Sequence, residues 1–124
     1  MEERKKVQQY RDLKAWQKAM DLVELVYEAT RSWPKDEVYG LTNQVRRAVV
    51  SVPSNIAEGQ GRNSPKEFMH HLSIARGSLL EVETQVLIAQ RLGYIQQETA
   101  ERILNSADEV SRLISGLYRY LATH

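Results

Sequence analysis

The chain contains no cysteine. That absence excludes disulfides, thiolate metal sites, iron–sulfur clusters and cysteine nucleophiles, and nothing points to a secreted, cross-linked scaffold. No apolar run approaches the ~20 residues needed to cross a bilayer. The opening MEERKKVQQY is too polar for a secretory signal, so a soluble, unprocessed, cytoplasmic protein with no membrane partner is expected. An excess of one charge is missing too, with 17 Lys+Arg against 16 Asp+Glu. The pI of about 8.0 lies below the value of ~9 that flags a free-standing nucleic-acid binder. What is present is 124 residues, 42% hydrophobic and 27% charged, which is enough for one globular domain.

Four segments carry apolar residues at steps of three and four, the spacing of a helix face. Leu13, Trp16, Met20, Val23, Tyr27 and Thr30 form the expected seam of a first helix, whose exit is marked by Ser32-Trp33-Pro34. Asp36 is the expected cap of a second helix, from about Glu37 to Glu58, with Val38, Leu41, Val45, Ala48, Val52 and Ile56 as its seam. Pro53 falls inside that helix. It removes the amide that would bond the carbonyl of Val49, at a cost of ~3 kcal/mol in an ordinary helix interior. A kink is expected because the apolar period survives the proline. The alternative is a stop near Ser51 and a short new turn, with Ser54 and Asn55 satisfying freed backbone groups.

Gly59 to Asn63 reads as a polar link, and Ser64-Pro65-Lys66-Glu67 as a capping box that opens a third helix. Phe68, Leu72, Ala75, Leu79, Val82, Val86 and Ala89 continue it without a break, and Gly93 is its expected stop. A fourth helix carries Ile103, Ala107, Val110, Ile114, Leu117 and Leu121. The pattern predicts an all-α fold: an antiparallel up-down-up-down four-helix bundle with its second helix kinked at Pro53. It forms a single domain over residues 11–124, behind a frayed arm at residues 1–10. Beside the seams lie further apolar positions: Leu22, Val26, Ala29, Val49, Ile56, Ile74, Leu80, Leu87 and Ile88. They widen the buried face of a monomer or form a subunit interface.

Little in the chain suggests catalysis. Glu67-x-x-His70 has the spacing of a di-iron ligand pair, but a bundle site needs that motif from two helices, and only one copy exists. Gly59-x-Gly61 with Lys66 lacks the full phosphate-loop pattern. Gln44, Arg47, Ser51, Asn55 and Glu58 line up beside Ser78, Glu81 and Gln85, with Asn55, Glu58 and Glu81 as structural polar groups and Arg47 with Glu81 as an expected pair. No nucleophile or paired carboxylates converge, so a non-enzyme without metal or cofactor is expected. The candidate nucleic-acid contacts are Arg4, Lys5, Lys6, Arg11, Lys14, Lys18, Arg46, Arg47, Arg62 and Lys66, which repetition in an oligomer would multiply.

Tyr39-Gly40-Leu41-Thr42-Asn43-Gln44-Val45-Arg46-Arg47-Ala48 followed by Ser51-Val52-Pro53-Ser54-Asn55-Ile56-Ala57-Glu58-Gly59 resembles the signature of the 23S ribosomal RNA intervening-sequence protein family. Leu13 to Ala19, Ala75 to Thr84 and Leu92-Gly93-Tyr94-Ile95 extend the resemblance over roughly residues 10 to 120. The resemblance implies a bacterial, cytosolic, non-catalytic four-helix bundle assembled as a barrel-like homopentamer. A related branch, the accessory variability determinants of diversity-generating retroelements, partners a reverse transcriptase and binds nucleic acid through a basic pentamer. This chain departs from that branch in being nearly neutral. The role implied by the resemblance is an oligomeric scaffold associated with RNA or DNA, or alternatively a protein–protein adaptor such as a reverse-transcriptase accessory subunit.

Overall fold

The computed structural model describes residues 10–124. Four α-helices account for most of them: α1 (Lys14–Thr30), α2 (Leu41–Gly61), α3 (Pro65–Arg91) and α4 (Gln97–Thr123), with a 3-10 turn at Lys35–Glu37. No strand occurs among the described residues. Each helix packs on its neighbours in the chain, α1 also packs on α4, and α2 with α3 share the most extensive face.

The core is aliphatic. Leu22 and Val26 of α1, Val45, Val49, Val52 and Ile56 of α2, Leu72, Leu79, Val82 and Val86 of α3, and Ile103, Val110 and Ile114 of α4 are sealed from solvent. Burying each such side chain is worth about 1.5–3 kcal/mol. The expected seams of the third and fourth helices are recovered, with Phe68, Leu117 and Leu121 at their partly buried ends.

Helix α1 differs from expectation. Its inward face is Ala15, Ala19, Leu22, Val26 and Thr30, while the expected seam residues Met20 and Tyr27 are each 39% exposed and Trp16 and Val23 are half-buried. Both stripes step by three and four, and the small Ala15 and Ala19 are the ones that let neighbouring helices approach closely. Leu22, Val26 and Val49, expected as side positions, are core, as is Ile56 of the expected α2 seam.

The start of α2 also moves. Val38 is 49% exposed and precedes the helix, which begins at Leu41. The cap is not Asp36: the Glu37 carboxylate accepts the Leu41 N–H at 3.0 Å and the Tyr94 hydroxyl at 2.9 Å. Helix α2 then runs through Pro53 and on to Gly61, so Gly59 and Gly61 are helical and the link shortens to residues 62–64. The predicted cap of α3 is present, with Ser64 Oγ accepting the Glu67 N–H at 3.3 Å and Pro65 in the first turn. Gly93, at φ +79°, ends the same helix.

Candidate functional site

The polar stripes of α2 and α3 meet along their shared face. Ser78 Oγ donates to Ser51 Oγ at 2.9 Å, and Asn55 Nδ2 donates to Ser51 Oγ at 3.0 Å and to the Ser51 carbonyl at 2.9 Å. With its amide nitrogen so engaged, Asn55 presents Oδ1 to His71 Nδ1 at 3.0 Å. That assigns the proton to Nδ1 and turns Nε2 toward Glu58, 4.0 Å away. Glu58 in turn binds Arg62 at 2.6 Å, and Arg62 reaches Glu67 at 3.7 Å. The Arg62 hydrogen bond, aided by the charges of His71 and Arg62, holds the Glu58 carboxyl below its usual value.

The chain satisfies the buried and half-buried Ser78, Ser51, Asn55 and His71 one by one, as such groups require, and ends at the surface in the exposed Glu58, Arg62 and Glu67. It requires close helix approach at Gly59, where a Cβ would lie 2.7 Å from His71 Cβ and 2.9 Å from Phe68 Cδ1. Asn55 and Glu58 thus sit inside the network. Glu81 stays outside it, lining a shallow depression with Arg47, Ser51 and Gln85. The expected Arg47–Glu81 pair is not formed within 4 Å; instead Gln44 and Gln85 bridge the helices at 3.4 Å.

The candidate cations separate into two groups. Arg46 is structural: its Nε donates to Thr30 Oγ1 at 2.8 Å, its Nη2 reaches the Tyr27 carbonyl at 3.5 Å, and its guanidinium lies 4.6 Å from the Tyr27 ring centre. Arg62 is held by two carboxylates, and Lys18 lies 4.0 Å from Glu109. Arg11 stacks over its neighbour Tyr10. Lys14, Arg47 and Lys66 are exposed and form no ion pair among the described residues. Arg4, Lys5 and Lys6 lie outside the described residues, as does most of the expected arm.

Other features carry less chemistry. Among the described residues no three His, Asp or Glu side chains gather to hold a metal ion, and His70 has His71 as its ring neighbour. Because α2 continues through Gly59 and Gly61, no anion-binding loop forms there. A half-open cavity of about 520 Å³ lies between the end of α1 and the start of α4, lined by Leu25, Ala29, Ser32, Tyr94, Arg102 and Ile103. Glu28 and Arg102 are the charged residues of its lining.

Two apolar surfaces remain uncovered. Trp16, Met20 and Val23 of α1 face Val50, Pro53 and Ala57 of α2 across an open groove. On α3, Leu80 is 63% exposed, Leu87 47% and Ile88 41%, with Ile74 nearer the start of the same helix. Sequence reasoning found the α3 ridge by its spacing but assigned the α1 half of the groove to the core.

The model of the 23S rRNA-intervening sequence protein family matches residues 11–116. The chain belongs to that family. A solved relative in fold is a protein of unknown function from the S23 ribosomal protein family of Bacteroides thetaiotaomicron VPI-5482. It shares 24% identity and a TM-score of 0.75, over 84% of this chain and 97% of that one. At that identity the likeness speaks to the helical fold. No curated protein matches the chain. The matched span includes Tyr39–Gly59, and within that stretch the structure gives Arg46, Asn55 and Gly59 packing roles. No helix among the described residues is long and apolar enough to cross a membrane.

Proposed function

We propose that this chain is a non-enzymatic, self-assembling scaffold, a cytoplasmic homopentamer that associates with nucleic acid or a nucleoprotein. The observation that carries the reading is the pair of unlike apolar surfaces, the α1–α2 groove and the α3 ridge. Contiguous apolar patches are uncommon on monomers. A ridge seated in the groove of the next copy is a heterologous contact, which closes into a ring when the rotation permits.

The ring reading takes the helices as an up-down-up-down bundle with α2 bent at Pro53. Short links and contact pairs that run in opposite senses, Gln44–Gln85, Ser51–Ser78 and Asn55–His71, support that order. The amide missing at Pro53 supports the bend. In a square bundle, a groove between α1 and α2 and a ridge on α3 point about 90–135° apart. Contact directions in a five-membered ring subtend about 108°, inside that range. The family name ties its members to 23S rRNA intervening sequences, which favours RNA as the polyanion.

An adaptor reading, with a protein such as a reverse transcriptase as partner, draws on Tyr39, which is 95% exposed beside the exposed Val38. Native mass spectrometry on protein purified without nuclease tests both. A five-subunit particle carrying RNA is expected, and Leu80→Glu should reduce it to monomer. A pentamer free of nucleic acid favours the adaptor, and a wild-type monomer overturns the ring.

A further inference from the structure

The near-neutral net charge conceals a separation along the bundle. Ser51 and Ser78, hydrogen-bonded at 2.9 Å, mark the middles of α2 and α3. Divided at the helix midpoints, one end comprises residues 10–22, 51–78 and 110–124, and the other comprises residues 23–50 and 79–109. The first end holds eight Lys+Arg against four Asp+Glu, and the second holds six against ten, giving formal charges of +4 and −4.

Two ion pairs, Lys18–Glu109 and Arg112–Asp108, straddle the dividing line and offset part of the difference, but other cations of the basic end stay unpaired. Glu58 and Glu67 of the basic end both contact the same Arg62. Lys14, Lys66, Arg76 and Arg119 are exposed there and form no ion pair among the described residues. Three separate helices contribute them, so the folded chain assembles what no single segment carries. At the other end, by contrast, Arg31 pairs with Glu28 and Arg46 is held by Thr30 and Tyr27.

Flat aromatic surface accompanies the cations. Tyr120, 56% exposed, stacks on His124 with ring centres 4.1 Å apart, and Tyr10 lies edge-on to Trp16 at 5.4 Å. Cations on the same end as the exposed Tyr120 and His124 rings suit single-stranded nucleic acid, in which phosphates meet the charges and unpaired bases stack on the rings. A carboxylate surface, such as the acidic end of a second copy, makes no use of the rings.

We propose that the basic end docks a single-stranded RNA segment, its phosphates on Lys14, Lys66, Arg76 and Arg119 and a base on Tyr120. The inference rests on the proposed nucleic-acid association and adds which end binds and by which groups. In a ring with bundles side by side, the basic ends form one rim, which repetition turns into a continuous electropositive track.

Fluorescence anisotropy with a labelled oligouridine across a salt series tests it. Lys66→Glu/Arg76→Glu is expected to weaken binding about tenfold or more and to lower the salt slope by about 0.7 for each phosphate no longer neutralised. Tyr120→Ala is expected to weaken it about tenfold with the salt slope unchanged. Lys35→Glu/Arg91→Glu, the same charge change at the acidic end, should leave affinity unaltered. Equal weakening by both charge-reversed pairs overturns the placement while leaving the nucleic-acid reading intact. Absence of wild-type binding at low salt overturns both. Salt-sensitive stacking of the protein alone, abolished by Lys66→Glu/Arg76→Glu without any RNA affinity, assigns the basic end to a second copy instead.

Discussion

Gly59→Ala separates two effects that ordinarily oppose each other in a helix. Replacing glycine by alanine in a helix interior stabilises it by about 0.8–1 kcal/mol through backbone entropy. At Gly59 the added Cβ would meet His71 Cβ at 2.7 Å, Phe68 Cδ1 at 2.9 Å and Phe68 Cα at 3.3 Å. Carbon atoms pack at about 3.5–4.0 Å, so α2 and α3 must separate by close to 1 Å, or His71 must tilt and weaken its bond to Asn55. Overpacking of this kind costs about 1–3 kcal/mol, which exceeds the entropic gain.

A net loss of up to about 2 kcal/mol is therefore expected, measured by urea unfolding and by a fall in Tm of roughly 4 °C per kcal/mol. Gly116→Ala is the internal control. Its Cβ would find only Arg119 Nη2, at 4.0 Å, so it should gain up to about 1 kcal/mol. If the two variants shift stability in the same favourable direction, the close α2–α3 approach at Gly59 is refuted.

Two further outcomes rest on single contacts. Arg46→Ala should cost about 1–2 kcal/mol of stability, through removal of the hydrogen bond to Thr30 and of the packing on the Tyr27 ring, while leaving the salt dependence of RNA binding unchanged; a lowered salt slope would return Arg46 to the nucleic-acid interface. The Glu37–Tyr94 hydrogen bond should shape pH stability at both extremes. The Leu41 N–H and the Tyr94 hydroxyl hold the Glu37 carboxyl below its ordinary 4.5, so its contribution is complete above that pH and is lost as pH falls through the lowered value. Glu37 holds the Tyr94 hydroxyl above its ordinary 10.0, so that contribution is complete below pH 10 and is lost as pH rises through the raised value. Tyr94→Phe should flatten the alkaline limb of the stability profile and weaken the acid one; an unchanged profile counts against the bond.

Much of the fold is legible in the chain because helix periodicity is a local property. The α3 face from Leu72 to Ala89 reads correctly since it is a single unbroken stripe. Ser64-Pro65-Lys66-Glu67 and Gly93 act through their own backbone and need no distant partner. Helix α1 shows the limit of that logic. Two stripes, Ala15-Ala19-Leu22-Val26 and Trp16-Met20-Val23-Tyr27, share one period, and side-chain size and neighbouring helices decide which turns inward. Gly59 illustrates it again, reading as link material and serving as a helix-packing contact.

The site shows the same division. By itself the sequence determined four amphipathic helices, the family signature, the polar stripes of α2 and α3 and the apolar ridge of α3, each a matter of residue type at helical spacing. Only the tertiary structure decided which cations are occupied and which are free, because Arg46 and Thr30 are 16 residues apart in the chain. The separation of charge arises the same way. A formal charge of +1 is a sum over the chain and carries no position. Folding brings residues 10–22, 51–78 and 110–124 to one end, and Coulomb forces act between neighbours in space, not along the sequence.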